Sequence, residues 1–296
     1  MKRTITILLI ALLAVGMCDA VVKKRTRQRA SSKRTTKVLK VTPRTENKVL
    51  ERDGMKLEYQ HIEADAYYKV EKEEGEFSNG YSDCSFSVDW PVKLNGGSAQ
   101  VLQELLLDKY ASTDWDGNFV RPATLDALIR KMTRCVYGDN PRLVRKTAIA
   151  DIDNCLKDIS VASVYRLTHN MIGFELFFHI DNRNGLSAGV TFASTFVNYD
   201  LDGKRELTSD ICFKSGIEQA IAAKLRSDPE MWDFLWDGFK ESPYASENFK
   251  IDDDGITFFY SKYEIAPGAA GVVEVSMPNE AIRPYAAEAL LPFLVK

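Results

Sequence analysis

The sequence predicts an α+β protein, with antiparallel sheets, helices packed on one side of them, and two subdomains. Three observations predict it. Apolar residues alternate with polar ones at Phe86, Val88 and Trp90, at Ile256, Phe258 and Tyr260, and at Val273 and Val275, the period of a half-buried strand. Elsewhere apolar residues recur at helical spacing, as in Leu102, Leu105 and Leu106, in Leu125, Leu128 and Met132, and in Ile217, Ile221 and Leu225. The order is strands, helices, then hairpins again, which segregates the elements instead of alternating them.

The chain begins with Lys2 and Arg3 ahead of an apolar run over residues 5–15, followed by small residues at Gly16 and Ala20. The run is too short to cross a bilayer, so residues 1–20 read as a secretory signal peptide cut after Ala20. Lipidation at Cys18 is the alternative, although Met17 stands where a small residue is normally required. Residues 21–48 hold eleven Lys or Arg against one acid, Glu46, and no aromatic. Such a block cannot bury enough apolar surface to fold and is expected to be a disordered basic tether. It is either a solvated spacer or a contact to anionic envelope polymer or lipid headgroups. Export argues against a nucleic-acid partner. The formal net charge of the whole chain is -3, so without this block the remainder is acidic and would steer a basic protein partner.

Residues 49–160 form the first expected subdomain. Leu57, Tyr59 and His61, then Tyr67, Tyr68 and Val70, predict a hairpin, and residues 71–80 a polar turn. Pro91 should end the strand that contains Trp90. Helices follow from Ser98 to Tyr110, after Pro122, and over residues 141–156. The helical section ends near Ser160, the expected boundary. Residues 161–296 form the second subdomain, with strands over 161–170, 171–180 and 186–199 and a tight turn at Asp202 and Gly203. A helix over 216–225 and a short aromatic helix over 229–239 come next. Asp254 and Gly255 then turn the chain into a final hairpin over 256–278.

No spacing in this chain singles out a catalytic residue, a metal site or a cofactor. His61, His169 and His179 lack His-Glu-x-x-His or short helical spacing and read as single polar residues in strands. The Asp-rich turns at Asp200 to Gly203 and Asp252 to Gly255 lack the twelfth-position Glu of a calcium loop and read as hairpin turns. Asp151 and Asp153 would flank Ile152 on a helix and could not share a face. Cys84, Cys135, Cys155 and Cys212 fit no zinc or redox spacing. A chain of this length needs no staple, so buried thiols are expected, and Cys135 with Cys155 is the pair to test for a bridge. The cluster Trp232, Trp236, Phe239 and Tyr244 is the candidate binding surface. Trp232 and Trp236, four apart, would share a helix face. Exposed, that face could stack on sugar or grip a protein; buried, it would cover the second core.

The run Phe259 to Pro267, then Ala269, Ala270 and Gly271, a Val-rich strand and Pro278, resembles the end of an extracytoplasmic domain of unknown function. That domain forms the ectodomain of RsiV-type anti-sigma factors, which bind lysozyme, and it accompanies a peptidoglycan deacetylase. Residues 85–94 with the following helix, and residues 196–204, resemble earlier parts of it. The resemblance covers about residues 55–285 and falls most closely on Tyr260, Tyr263, Glu264, Pro267 and Gly271. Lys262 and Gly268 depart from its Pro and aromatic, and residues 186–190 lack its Gly-rich turn. It implies a non-catalytic envelope binding or sensing module in the periplasm or outer envelope, with a lysozyme-like muramidase or peptidoglycan as ligand. A cell-wall glycan enzyme and a structural envelope protein are the alternatives. Only four residues precede the apolar run, so the sigma-factor role of that family is not expected here. Nor is its deacetylase chemistry, which belongs to a separate catalytic domain.

Overall fold

A computed structural model describes residues 39–71, 79–113, 119–137, 140–152, 155–181 and 190–294. The chain enters through three long strands, β1 (Arg44–Arg52), β2 (Met55–Lys69) and β3 (Tyr81–Leu94), with β4 (Gly97–Ser98) folded back on β3. Next come helix α1 (Gln100–Lys109), the short pair β5 (Ser112–Thr113) and β6 (Phe119–Val120), helix α2 (Leu125–Met132) and β7 (Arg142–Val144). Four more strands follow: β8 (Leu156–Leu167), β9 (Met171–Asp181), β10 (Val190–Asp200) and β11 (Arg205–Glu206). The large sheet has the order β1-β2-β3-β8-β9-β10-β11, with β4 on β3 and β7 on β2.

Its pairs are antiparallel except β3 with β8, which run parallel over Ser82–Val88 and Leu156–Ala162. A parallel pair needs a crossover, and the segment carrying α1 and α2 provides it. Leu102, Leu106 and Tyr110 line the buried stripe of α1 and pack with Phe86, Val88 and Trp90 of β3. Thr124 caps α2 by accepting from the Ala127 N–H at 3.2 Å, with Asp126 in the first turn and Arg130 and Lys131 in the last, the charge order a helix dipole favours.

The remaining chain builds a second core. It contains α3 (Ser209–Cys212), α4 (Ile217–Arg226), α5 (Pro229–Phe234) and α6 (Asp237–Glu241). A three-stranded antiparallel sheet follows, β12 (Phe249–Ile251), β13 (Gly255–Tyr260) and β14 (Val273–Pro278), and then α7 (Asn279–Ile282). Ile217, Ile221 and Leu225 of α4 pack on Phe258, Val273 and Val275. The fold is thus mixed α+β with two main core regions and a third, small one, and β13 and β14 alternate buried and wetter residues as their sequences predict.

Several local expectations need correction. Residues 141–156 form no helix; the described part holds β7, a 3-10 turn and the start of β8. Asp151 therefore flanks no helical carboxylate, and residues 153–154 lie outside the described part. β8 carries the chain straight through Ser160. The expected hairpin of 57–70 is one fifteen-residue strand, β2, whose turn lies earlier, at Asp53 and Gly54. Pro91 does not end β3; it sits opposite Tyr59 at the irregularity in the β2–β3 register, the place a sheet tolerates a missing N–H. β1 begins at Arg44, inside the block read as a tether. It is an edge strand with mostly exposed residues, held by its ladder to β2 and by Arg44 against Glu63 and Asp65 at 3.0 and 2.9 Å. Composition misjudged it because such a strand borrows its neighbour's core. Residues 1–38, with the signal peptide and Cys18, and the turn residues 72–78 and 182–189 lie outside the described residues.

Buried polar side chains join the two cores. Asn248 accepts from the Phe196 N–H at 2.8 Å and donates to the Ser194 carbonyl at 2.7 Å. Asn198 donates to the Phe249 carbonyl at 2.8 Å. Tyr165 is the extra residue at the β8–β9 irregularity, and its ring lies where a side chain on Gly173 would stand, 2.3 Å from that Cβ position. Its hydroxyl donates to Asn198 and accepts from the Ile251 N–H at 3.3 Å. Arg166 donates to the Ile251 carbonyl at 2.6 Å and pairs with Asp253 at 3.0 Å.

Asn248→Ala would strand two backbone groups of β10 and is expected to cost about 2–4 kcal/mol, read as a lower denaturant midpoint at unchanged slope. Asp158, on β8, offers a pH test, because burial pushes its carboxyl up to about 6. A carboxyl that binds its proton more tightly folded than unfolded makes stability fall as pH rises through about 4 to 6. Asp158→Asn should flatten that fall and add about 1–2 kcal/mol at pH 7, measured as unfolding curves across that range.

Candidate aromatic binding face

The candidate residues of the aromatic cluster and of the 260–271 motif lie far apart in sequence pattern but meet in space. Asp228 caps α5 by accepting from the Met231 N–H, and Pro229 occupies its first turn. The helix stops after Phe234, where Leu235 and Trp236 take extended backbone angles before α6 begins. Trp232 and Trp236 therefore do not share a helix face, contrary to the sequence expectation. Leu235 turns inward and is buried, Trp232 is half-buried beneath the Arg226 guanidinium at 4.5 Å, and Trp236 faces outward. Phe239 is buried, so it supports the face without belonging to it.

The Trp236 N–H donates to the Ile265 carbonyl at 2.9 Å, which fixes this segment against the loop after β13. From that loop Glu264 receives the Ser261 N–H at 2.7 Å and the Tyr244 hydroxyl at 3.2 Å. Tyr260, fully buried at the end of β13, donates its hydroxyl to the Tyr244 carbonyl at 2.6 Å. Phe239 stands edge-on to Tyr244 and Tyr260 with centroids 5.4 and 5.5 Å apart. Burial raises the Glu264 carboxyl above its ordinary value, opposed by the hydrogen bonds from Ser261 and Tyr244. Burial likewise raises the Tyr244 and Tyr260 phenols, so both remain donors.

Tyr263 has a positive φ of 70° and lays its ring over Gly268, where an added Cβ would sit 2.2 Å from the ring. The departure at Gly268 thus makes room for Tyr263. Pro267 precedes a 3-10 turn whose Ala270 N–H it accepts, and Gly271 closes that turn at a φ of 70°, a region open to glycine. Trp236, Tyr244 and Tyr263 remain 43%, 40% and 49% exposed around Glu264. Glu230, Asp233, Asp237 and Glu241 are exposed on α5 and α6, on either side of Trp236 in sequence, and the Lys262 ammonium stands 5.3 Å from the Tyr263 ring centroid.

Other candidates are spent on structure. His61 pairs with Asp89 at 2.8 Å, His169 sits exposed in the β8–β9 turn, and His179 stands edge-on to Phe192. Asp200 accepts the Gly203 N–H of its own turn and faces Arg205, while Asp252 and Asp253 pair with Lys250 and Arg166. Cys135 and Cys155 are not partners: Cys155 approaches Asn79 and the Asp151 carbonyl, whereas Cys135 meets Cys84. Among the described residues no group of three or more His, Cys, Asp or Glu is placed to hold a metal ion. Among the same residues no helix is long and apolar enough to cross a membrane. Asn248, Asn198 and Arg166 escaped the sequence reading. The available signal was a polar residue, Asn198, inside a strand stretch buried on both faces.

Comparison with known proteins follows the same geography. The chain is similar to the crystal structure of a DUF3298-family member from Bacteroides fragilis, with 16% identity and a TM-score of 0.53 over 78% of this chain and 94% of that one. It also matches a DUF3298-family protein from Pseudomonas aeruginosa, with 14% identity and a TM-score of 0.47 over 85% and 96% of the two chains. The first likeness extends to the fold. No curated protein matches. Residues 209–280 match the family DUF3298, described as a protein of unknown function. That stretch contains the small sheet and every residue of the aromatic face, so the similarity to this family falls on the second core.

Proposed function

We propose that the chain is an exported envelope module that binds a partner without turning it over, and that its ligand is a basic muramidase of the lysozyme type. One observation carries the reading: three aromatic rings are exposed over buried hydrogen-bonded supports, in a segment whose helices α5 and α6 also carry four exposed carboxylates. Aromatic anchors that lose little freedom on binding are the usual centres of protein interfaces, and the surrounding acids favour a cationic partner. The sequence resemblance to lysozyme-binding ectodomains points the same way. The signal-like N-terminus supports export to the periplasm or outer envelope, with the basic residues 21–48 or a lipid at Cys18 as the tether.

The test is a salt-graded binding titration of the chain against a lysozyme-type muramidase and, separately, sedimentation with purified peptidoglycan. Saturable muramidase binding that weakens with salt is expected. Binding to peptidoglycan alone, or to neither, would sink the assignment. Trp236→Ala should weaken muramidase binding about tenfold or more, with the melting temperature nearly unchanged because the ring is exposed. Gly268→Ala must displace the Tyr263 ring. Because that ring is exposed, a loss of affinity with the fold intact is expected.

A further inference from the structure

We propose that Cys84 and Cys135 form an oxidisable pair that closes to an intramolecular disulfide, fastening the helical crossover to the large sheet. The inference does not rest on any reading of the aromatic face.

Cys84 points from β3 into a small pocket with Ala66, Val70 and Leu156, and Cys135, just beyond α2, enters the same pocket. Tyr68, Tyr137 and Leu143 pack around it. The two thiols are interacting neighbours within this one buried cluster; the Ser82 hydroxyl lies 3.3 Å from the Cys84 sulfur, and the Cys135 thiol donates to the Tyr137 carbonyl at 3.6 Å. Neighbouring thiols in one buried cluster have a short approach left to a covalent bond of about 2.05 Å. The other cysteines are elsewhere. Cys155 faces Asn79 and Asp151, and Cys212 belongs to the second core.

The pocket also sets the order of reaction. The interaction with Cys84 lowers the Cys135 thiol, while that interaction and burial push Cys84 up. Cys135 is thus the more readily ionised of the two, and thiolate is the nucleophile. It follows α2 on a segment without regular structure, next to exposed Val136, so local opening can present it. The co-reactant is an external disulfide, small-molecule or protein. The Cys135 thiolate attacks one of its sulfurs, a mixed disulfide forms, and the first thiolate leaves. Cys84 then loses its proton and attacks the Cys135 sulfur, expelling the second thiolate. The chain loses two protons and two electrons, and the external disulfide becomes two thiols.

The closed loop would contain α1, β5, β6 and α2, the elements that cover one face of the large sheet. Its closure removes freedom from the unfolded chain. The test is to hold the folded chain in oxidised glutathione, alkylate without reduction and map the peptides. A Cys84–Cys135 linked peptide with Cys155 and Cys212 alkylated is expected. Alkylation of both Cys84 and Cys135, or a link of either to Cys18, Cys155 or Cys212, would overturn the proposal. Reduction of the oxidised chain should lower its melting temperature by about 5–10 °C. Cys155→Ser should keep that shift and the Cys84/Cys135→Ser double variant should lose it; a shift that persists in the double variant would also overturn it.

Discussion

The arrangement of this molecule depends on one problem of backbone chemistry: what satisfies the open edge of β10. On one side β10 is paired with β9 along its length, but on the other β11 covers only Tyr199 and Asp200. An uncovered edge invites pairing with another chain. Asn248 answers it with a side-chain amide, which offers a donor and an acceptor together and so imitates the next strand's peptide group at Ser194 and Phe196. Asn198 reaches the opposite way, from β10 to the Phe249 carbonyl. The two amides make the small sheet a continuation of the large one in hydrogen bonding, though not in strand order. Neither could be replaced by an apolar residue without orphaning buried backbone groups.

Apolar packing then fills what the amides fix. Phe196 lies 4.7 Å from Phe259 and 5.6 Å from Tyr165, centroid to centroid. The strand after Asn248 runs into the Phe249, Phe258 and Phe213 cluster. Because Asn248 also accepts the Phe259 N–H with its own carbonyl, β13 is registered to β10 through a single residue. The loop that follows β13 carries Tyr263 and Glu264, so the position of the exposed face is set from the buried joint outward. A binding surface built on such a support loses little conformational freedom when it is occupied.

Much of this was legible in the sequence, and the failures share a cause. The alternation at Phe86, Val88 and Trp90 and in β13 and β14, and the stripes of α1, α2 and α4, were readable because each element buries one face, and periodicity reports burial. Where burial comes from a neighbour, the signal vanishes: β1 has almost no buried residue, yet forms nine consecutive pairs with β2. Residues 141–156 show the converse. Ile149, Ile152 and Leu156 fall at helical spacing by coincidence, since Leu156 belongs to β8 and serves, with Leu143 of β7, a third, small core. The amides were invisible because their partners are main-chain groups, which carry no residue identity.

The aromatic face shows the same limit at the level of a single backbone angle. The spacing of Trp232 and Trp236 suits one helix, and a helix would have turned both rings to the same side. The helix ends instead at Leu235, whose extended backbone sends its own side chain into the core and the next one out. What holds this break is not local: the Trp236 N–H, left without a helical partner, is taken by the Ile265 carbonyl from the loop after β13. An isolated peptide would have no reason to choose that state, because the orphan N–H would only exchange one partner for water. The exposed tryptophan is therefore a property of the assembled small sheet, and the face exists only where α5, α6 and the 261–271 loop are already in contact.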